Sequence, residues 1–195
     1  GASTQKVTTY EVLKKLNLVP GGYVLYVSRL EPENNAHLVI RAYRKSGVNL
    51  PLVVVGDATY GQSYIRKLHQ LAENRNIILP GAIYGRGYRE LLSHSRCYIH
   101  GTEVGGTHPA LIEAMGCGCV VIANSTCENR EVLADSGLFY PFNNLTSLSQ
   151  IMGQVCARVD MYESYRKLAQ QRVHDHYNWE QVVNQYEKLF YELCP

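Results

Sequence analysis

The sequence predicts an α/β domain, a doubly wound parallel sheet with helices on both faces. Three observations carry that prediction. Short apolar runs alternate strictly with amphipathic stretches along the chain, the order that builds parallel sheets. The runs at 23–27 (YVLYV) and 52–55 (LVVV) are continuous rather than alternating, as in strands buried on both faces. The 195 residues are 46% hydrophobic, enough for one domain with a sizeable core and short for two.

Taken in order, residues 1–20 read as a linker entering the first strand. The start Gly1-Ala2-Ser3-Thr4 has no initiator Met and no signal-peptide pattern, and is read as a cut end. Pro20-Gly21-Gly22 is a turn signal ahead of strand 23–27. Leu38, Ile40, Ala42 and Tyr43 give an amphipathic helix over 32–45. Strand 52–55 ends at Gly56-Asp57. A helix at 64–73 follows, with Ile65, Leu68, Leu71 and Ala72 on one face. Further strands are predicted at 77–79, 97–100, 120–123 and 138–140, with helices at 88–95 and 109–115. Three helices close the chain at about 145–158, 161–176 and 179–193. The Rossmann-like domain is thus set at 21–178, with a closing segment at 179–195.

Composition narrows the function. A net charge of +2 argues against a broad nucleic-acid surface. No apolar run approaches the ~20 residues of a membrane span. Six cysteines sit mostly in apolar segments: Cys97, Cys117, Cys119, Cys127, Cys156 and Cys194. They read as reduced, buried thiols of a cytoplasmic protein. The Cys117-Gly118-Cys119 spacing matches no zinc pattern, so no metal is expected.

Sheets of this kind bind ligands beyond the C-terminal ends of their strands, so the loops there hold the candidate chemistry. Arg29 follows the first strand, where its guanidinium can grip a diphosphate or pair with Glu31 or Glu33. The segment from Gly56 to Ser63 resembles a P-loop, but Gln62 replaces the essential Lys, which argues against an ATPase. No G-x-G-x-x-G opens a helix, so a nicotinamide dehydrogenase is not expected. The informative stretch runs from Tyr98 to Gly116, a strand, a Gly-Gly loop and a helix. Pro109 suits the first helical turn, with Thr107 or His108 as N-cap. Gly105 and Gly106 let backbone amides approach a ligand closely. With the helix dipole they make an anion site. Glu113, one turn inside, can accept hydrogen bonds from vicinal ribose hydroxyls or simply complement the helix N-terminus.

At these residues the chain resembles the retaining GT-B glycosyltransferases of group 1. Glu113-Ala114-Met115-Gly116 matches the second half of that family's Glu-x7-Glu string. Val104-Gly105-Gly106-Thr107-His108-Pro109 is closest to its bacterial rhamnosyltransferase-like branch, which has Asn at the His108 position. Pro32-Glu33-Asn34-Asn35 and Asn129-Arg130-Glu131-Val132 are similar to that branch too. The resemblance implies one half of a GT-B fold, the C-terminal donor-binding domain, with a missing N-terminal domain as its partner. It implies transfer of a sugar from a nucleotide diphosphate sugar, the substrate, to a glycan or lipid-linked acceptor. It also implies retention, no cofactor and no obligatory metal. The nucleotide would be a uridine or deoxythymidine diphosphate. The intact enzyme would be cytoplasmic, peripheral at the membrane's inner face.

The resemblance places Glu113 on the ribose and Arg29 on the diphosphate. Tyr84, from the loop at 81–84, would stack on the base. Gly56, Gly105, Gly106, Thr107 and His108 would line the donor. Two positions depart from the family. Gly105 stands where its first Glu would be, with Glu103 two residues earlier as a sugar contact and catalytic candidate. Asn34 stands where a Lys commonly pairs with Arg29. His100 reads as structural; Arg130 and Glu131 as either crevice residues or an ion pair. Two other readings stay open, a non-catalytic nucleotide-binding module and a GT-B-fold sugar-nucleotide epimerase.

Overall fold

In the computed structural model, residues 1–58, 61–73 and 75–193 are described. Cys194, and Thr59 and Tyr60 of the P-loop-like segment, lie outside them. Six parallel strands form one sheet: β1 (Val24–Val27), β2 (Leu52–Val55), β3 (Ile77–Gly81), β4 (Cys97–His100), β5 (Val121–Asn124) and β6 (Leu138–Tyr140). Their spatial order is β3-β2-β1-β4-β5-β6. The order reverses between β1 and β4, which pair with Leu25 opposite Tyr98. That reversal opens the ligand crevice of such sheets.

Alternate strand residues face opposite helical layers. Leu25, Val53, Val55, Tyr98 and Val121 pack on one face. There they meet α1 (Glu11–Lys15), α4 (Gly85–His94), α5 (Pro109–Gly116), α6 (Cys127–Leu133) and α8 (Glu163–His176). Val24, Tyr26, Leu52, Val54, Ile99 and Ile122 face the other way, onto α2 (Ala36–Lys45), α3 (Gln62–Ala72) and α7 (Leu145–Ala157). The period-2 strand pattern thus feeds two cores, which is why no strand shows a polar face.

Four local expectations change. The expected linker carries α1 and buries Ala2, Leu13 and Leu18. The helix expected over 32–45 splits into a 3-10 turn, Pro32–Asn34, and α2. Asn35 breaks it at φ 63°, a left-handed conformation that Asn tolerates. The helix α4 begins at Gly85, before the expected residue 88. The segment 127–133 after β5 is helical, with Thr126 as N-cap accepting from the Asn129 amide at 3.2 Å. Of the described cysteines, Cys97, Cys117 and Cys119 are buried, Cys156 half-buried and Cys127 exposed. The last helix, α9 (Trp179–Leu193), has no buried residue among those described. None of the described helices is long and apolar enough to cross a membrane.

α1 is tied down by a carboxylate from α4. Glu90 is 1% exposed. It accepts from the Val12 amide at 2.6 Å, the Leu13 amide at 3.0 Å and the Thr9 hydroxyl at 2.7 Å. Burial alone would raise its pKa, but these hydrogen bonds outweigh burial and hold it below the usual value. A depressed carboxylate stabilises the fold above its unfolded pKa, and this contribution is lost as pH falls through the folded value. Glu90→Gln is therefore expected to lower stability by about 2 kcal/mol at neutral pH. Thermal melts at stepped pH should show the difference from wild type shrinking as pH falls below the carboxylate range. A constant difference would mean that the charge of Glu90 contributes nothing.

Candidate functional site

The loops after β1 and β4, with the start of α5 and the β3–α4 corner, enclose a crevice of about 510 Å³. That lies within the range of small-molecule sites. Arg29, Asn34, Tyr84, His108 and Glu113, all anticipated, line it. So do Tyr88, His100 and Thr102.

The two sides of the switch point are joined through Asn34, which is buried. Its side-chain amide donates to the Arg29 carbonyl at 2.8 Å. Its Oδ1 accepts from the Thr102 hydroxyl at 3.1 Å. The Tyr26 hydroxyl, beneath, donates to the Asn34 carbonyl at 2.5 Å. The Glu103 amide adds a bond to the Glu33 carbonyl at 3.0 Å. Asn34, expected on a diphosphate, thus holds the two loops in register. The Arg29 side chain is 77% exposed and pairs with Glu31 at 3.4 Å. Of the two sequence readings the ion pair is the one present; an exposed pair of this kind is worth at most about 1 kcal/mol and leaves the guanidinium able to exchange to another anion.

Pro109 sits at the first turn of α5, as expected, and His108 is its N-cap. The His108 side chain makes no cap hydrogen bond. The amides of Gly105, Gly106, Thr107, His108 and Ala110 donate to no group among the described residues. Gly105 has φ +126°, and a Cβ there would lie 2.8 Å from the His108 ring. Gly106 is exposed, with nothing within 4 Å of its Cβ direction. Free amides at a helix N-terminus form an anion-receiving surface.

Glu113 projects from α5 on the far side of the crevice. The Tyr88 hydroxyl donates to its Oε2 at 2.8 Å. Burial, and then the neighbouring phenol and the Glu113 carboxylate, push the Tyr88 hydroxyl far above its ordinary pKa, so it stays a donor. Tyr84 stands at the rim, 83% exposed, as the N-cap of α4. An aromatic ring so open to solvent is available for stacking.

The remaining expectations move elsewhere. Glu103 does not line the crevice. Its carboxylate accepts from Asn35 at 2.7 Å and from the Asn143 amide. Asn143, itself left-handed at φ 51°, also accepts from Asn124 at 2.9 Å. This amide network fixes the loop between β4 and Gly105 from behind. Gly56 is likewise outside the crevice, beneath the β1 loop. Gly105, Gly106 and Thr107 are exposed beside the crevice and do not line it. Arg130 bonds Ser125 and lies 4.7 Å over the Phe139 ring, and Glu131 is exposed. Neither lines the crevice.

The comparisons agree with this architecture. The family model of glycosyl transferases group 1 matches residues 13–172. O-antigen chain mannosyltransferase B of Escherichia coli is 25% identical over 189 residues, 91% of this chain and 49% of its own. A Campylobacter jejuni N-acetylgalactosaminyltransferase acting on a diphospho-undecaprenol substrate is 23% identical over 153 residues, 77% of this chain and 41% of its own. Among solved structures, HepE of Anabaena in complex with UDP matches with a TM-score of 0.88 at 20% identity, over 98% of this chain and 56% of that one. Its complex with UDP-glucose gives 0.87, over 97% and 54%. The chain spans about half the length of the curated relatives it matches. The match to the structures is one of fold, and the family match covers most of the chain: this protein belongs to the glycosyl transferases group 1 family.

Proposed function

We propose that this chain is the nucleotide-sugar-binding half of a glycosyltransferase. In this reading the enzyme moves a sugar, with retention, from a nucleoside diphosphate sugar to a glycan or lipid-linked acceptor. One observation carries it: an oriented carboxylate, an exposed Arg and the start of α5 at His108 and Ala110 line one crevice at the sheet's switch point, with the free amides of Gly105, Gly106 and Thr107 beside it. Glu113, steadied by Tyr88, takes the ribose hydroxyls. The amides from Gly105 to Ala110 take the diphosphate, joined by Arg29 once it leaves Glu31. Tyr84 covers the base. Charge building on the departing diphosphate is then met by fixed dipoles and one cation.

Glu103 and Asn34 act here as positioning residues, since their polar atoms are engaged within the protein. A second domain, N-terminal to this one in the whole enzyme, supplies the acceptor site. The intact enzyme is cytoplasmic and rests at the inner face of the membrane. Uridine and deoxythymidine diphosphate are the favoured nucleotides; HepE, a protein of similar fold, is in complex with UDP.

Calorimetry of the chain against UDP, dTDP, GDP and their sugars, with NAD and ATP as controls, tests the reading. Selective binding to one diphosphate base, weakened about tenfold in Arg29→Ala, supports it. Equal or absent binding across the panel by folded protein overturns it in favour of an interaction module.

A further inference from the structure

The crevice is short of positive charge for a diphosphate. Arg29 is the one Lys or Arg on its wall among the described residues, while Glu33 and Glu113 both contribute carboxylates. Asn34 adds no charge. The side chain beside the free amides is His108, half-buried and without a cap hydrogen bond. Its ring lies 5.0 Å, centroid to centroid, from that of His100. His100 lines the same crevice, is 3% exposed, and its Nε2 has no partner among the described residues. A buried polar nitrogen left without a partner is costly and calls for an explanation. Here it lies beside the ring of the N-cap residue of the anion-receiving helix.

We propose that His108 takes up a proton when a diphosphate enters the mouth of α5, and so supplies the second positive charge that the crevice lacks. The inference rests on the donor-site reading above. The groups facing His108 are few. Glu128 on α6 favours its charged form. His100 on β4 lies beneath it. Arg29 and Glu33 stand across the crevice, and Glu113 sits one turn along α5. Without ligand, burial holds His108 below its ordinary pKa, and Glu128 offsets only part of this. His100 is pushed down to about 3 by burial, then by His108, and stays neutral throughout. Its uncharged nitrogen can therefore accept a hydrogen bond from a protonated neighbour. The two charges of a diphosphate beside His108 reverse the balance and favour the imidazolium. Affinity must then rise as pH falls through the interval between the free and bound pKa values, and be flat on either side.

The test is calorimetry with UDP-glucose, dTDP-glucose and GDP-mannose, whose diphosphates do not themselves titrate near neutrality. The sugar nucleotide that binds is followed from about pH 8 to about pH 6, in buffers of different ionisation heat. We expect affinity to rise roughly five- to tenfold over that range. The apparent enthalpy should vary with the buffer in the sense of proton uptake. His108→Asn keeps a good N-cap but has no proton to gain. Its affinity, whatever its level, should not vary with pH over this range, and its apparent enthalpy should show no proton uptake in any buffer. Binding without proton linkage in the wild type, or the same uptake in His108→Asn, overturns the proposal and leaves the donor site standing. No binding of any sugar nucleotide by folded wild type overturns both.

Discussion

Glu113→Ala is expected to weaken binding of the matching nucleoside diphosphate by about 10- to 100-fold while the chain stays folded. The magnitude follows from what the carboxylate does in the proposed site. Two ribose hydroxyls donating to one ionised carboxylate are charge-assisted bonds, each worth about 1.5–3 kcal/mol. Part of that is recovered by water in the variant, which leaves one to two powers of ten in affinity. The carboxylate is half-buried and has the Tyr88 hydroxyl as its hydrogen-bond donor. Its removal strands that phenol at a cost of about 1 kcal/mol in stability. Melting and binding therefore separate: a shift of a few degrees against a large fall in affinity.

Two companion variants sharpen the result. Glu113→Gln retains an oxygen for Tyr88 but loses the charge, and should fall between wild type and Glu113→Ala. Tyr88→Phe leaves the carboxylate intact but unsteadied, and should cost only a few-fold in affinity. If folded Glu113→Ala binds nucleotide like wild type, the ribose contact is wrong and the donor-site reading loses its anchor. Calorimetry beside differential scanning fluorimetry measures both quantities on the same sample.

The parts of this site visible in the sequence are those written locally. Strand positions were fixed by apolar runs between turn signals, because both faces of a doubly wound sheet are buried. The start of α5 was fixed by Pro109, and Glu113 followed from its place one turn on. What stayed hidden depends on partners far along the chain. α1 is five residues long and shows no periodic pattern of its own; its cap is Glu90, 77 residues from Leu13. Asn35 and Asn143 are left-handed in the folded protein and converge on Glu103. From sequence alone Glu103 reads as a free acid facing a ligand. Tyr88 falls in a predicted helix, but nothing local shows that it reaches across to α5. At the end of a strand, His100 reads from the sequence as structural. Only its unpartnered nitrogen and the ring of His108 set it apart.

Gly56→Ala should destabilise the fold strongly, by about 3 kcal/mol or more, through overpacking against rigid backbone. The resemblance implies that Gly56 lines the donor. Its backbone instead has φ +150°, and a Cβ there would lie 1.9 Å from the Ser28 carbonyl oxygen and 3.3 Å from Leu30 Cγ. No side-chain rotation relieves a clash with a carbonyl. Either β2 or the β1 loop must shift, and the Gly56 amide is already bonded to the Gly81 carbonyl at 3.0 Å. For a chain of this size, 3 kcal/mol corresponds to a fall in melting temperature of roughly 6–12 °C. Gly106→Ala is the contrast, because its Cβ meets nothing and its backbone carries no positive φ. That variant should melt like wild type and lose nucleotide affinity only, by crowding the ligand. If instead Gly56→Ala melts normally and binds poorly, Gly56 meets the ligand directly and the packing role is refuted. If it melts low, the residue's work is to let β2 pass under the loop that carries Arg29, and any loss of binding follows from that loop's displacement.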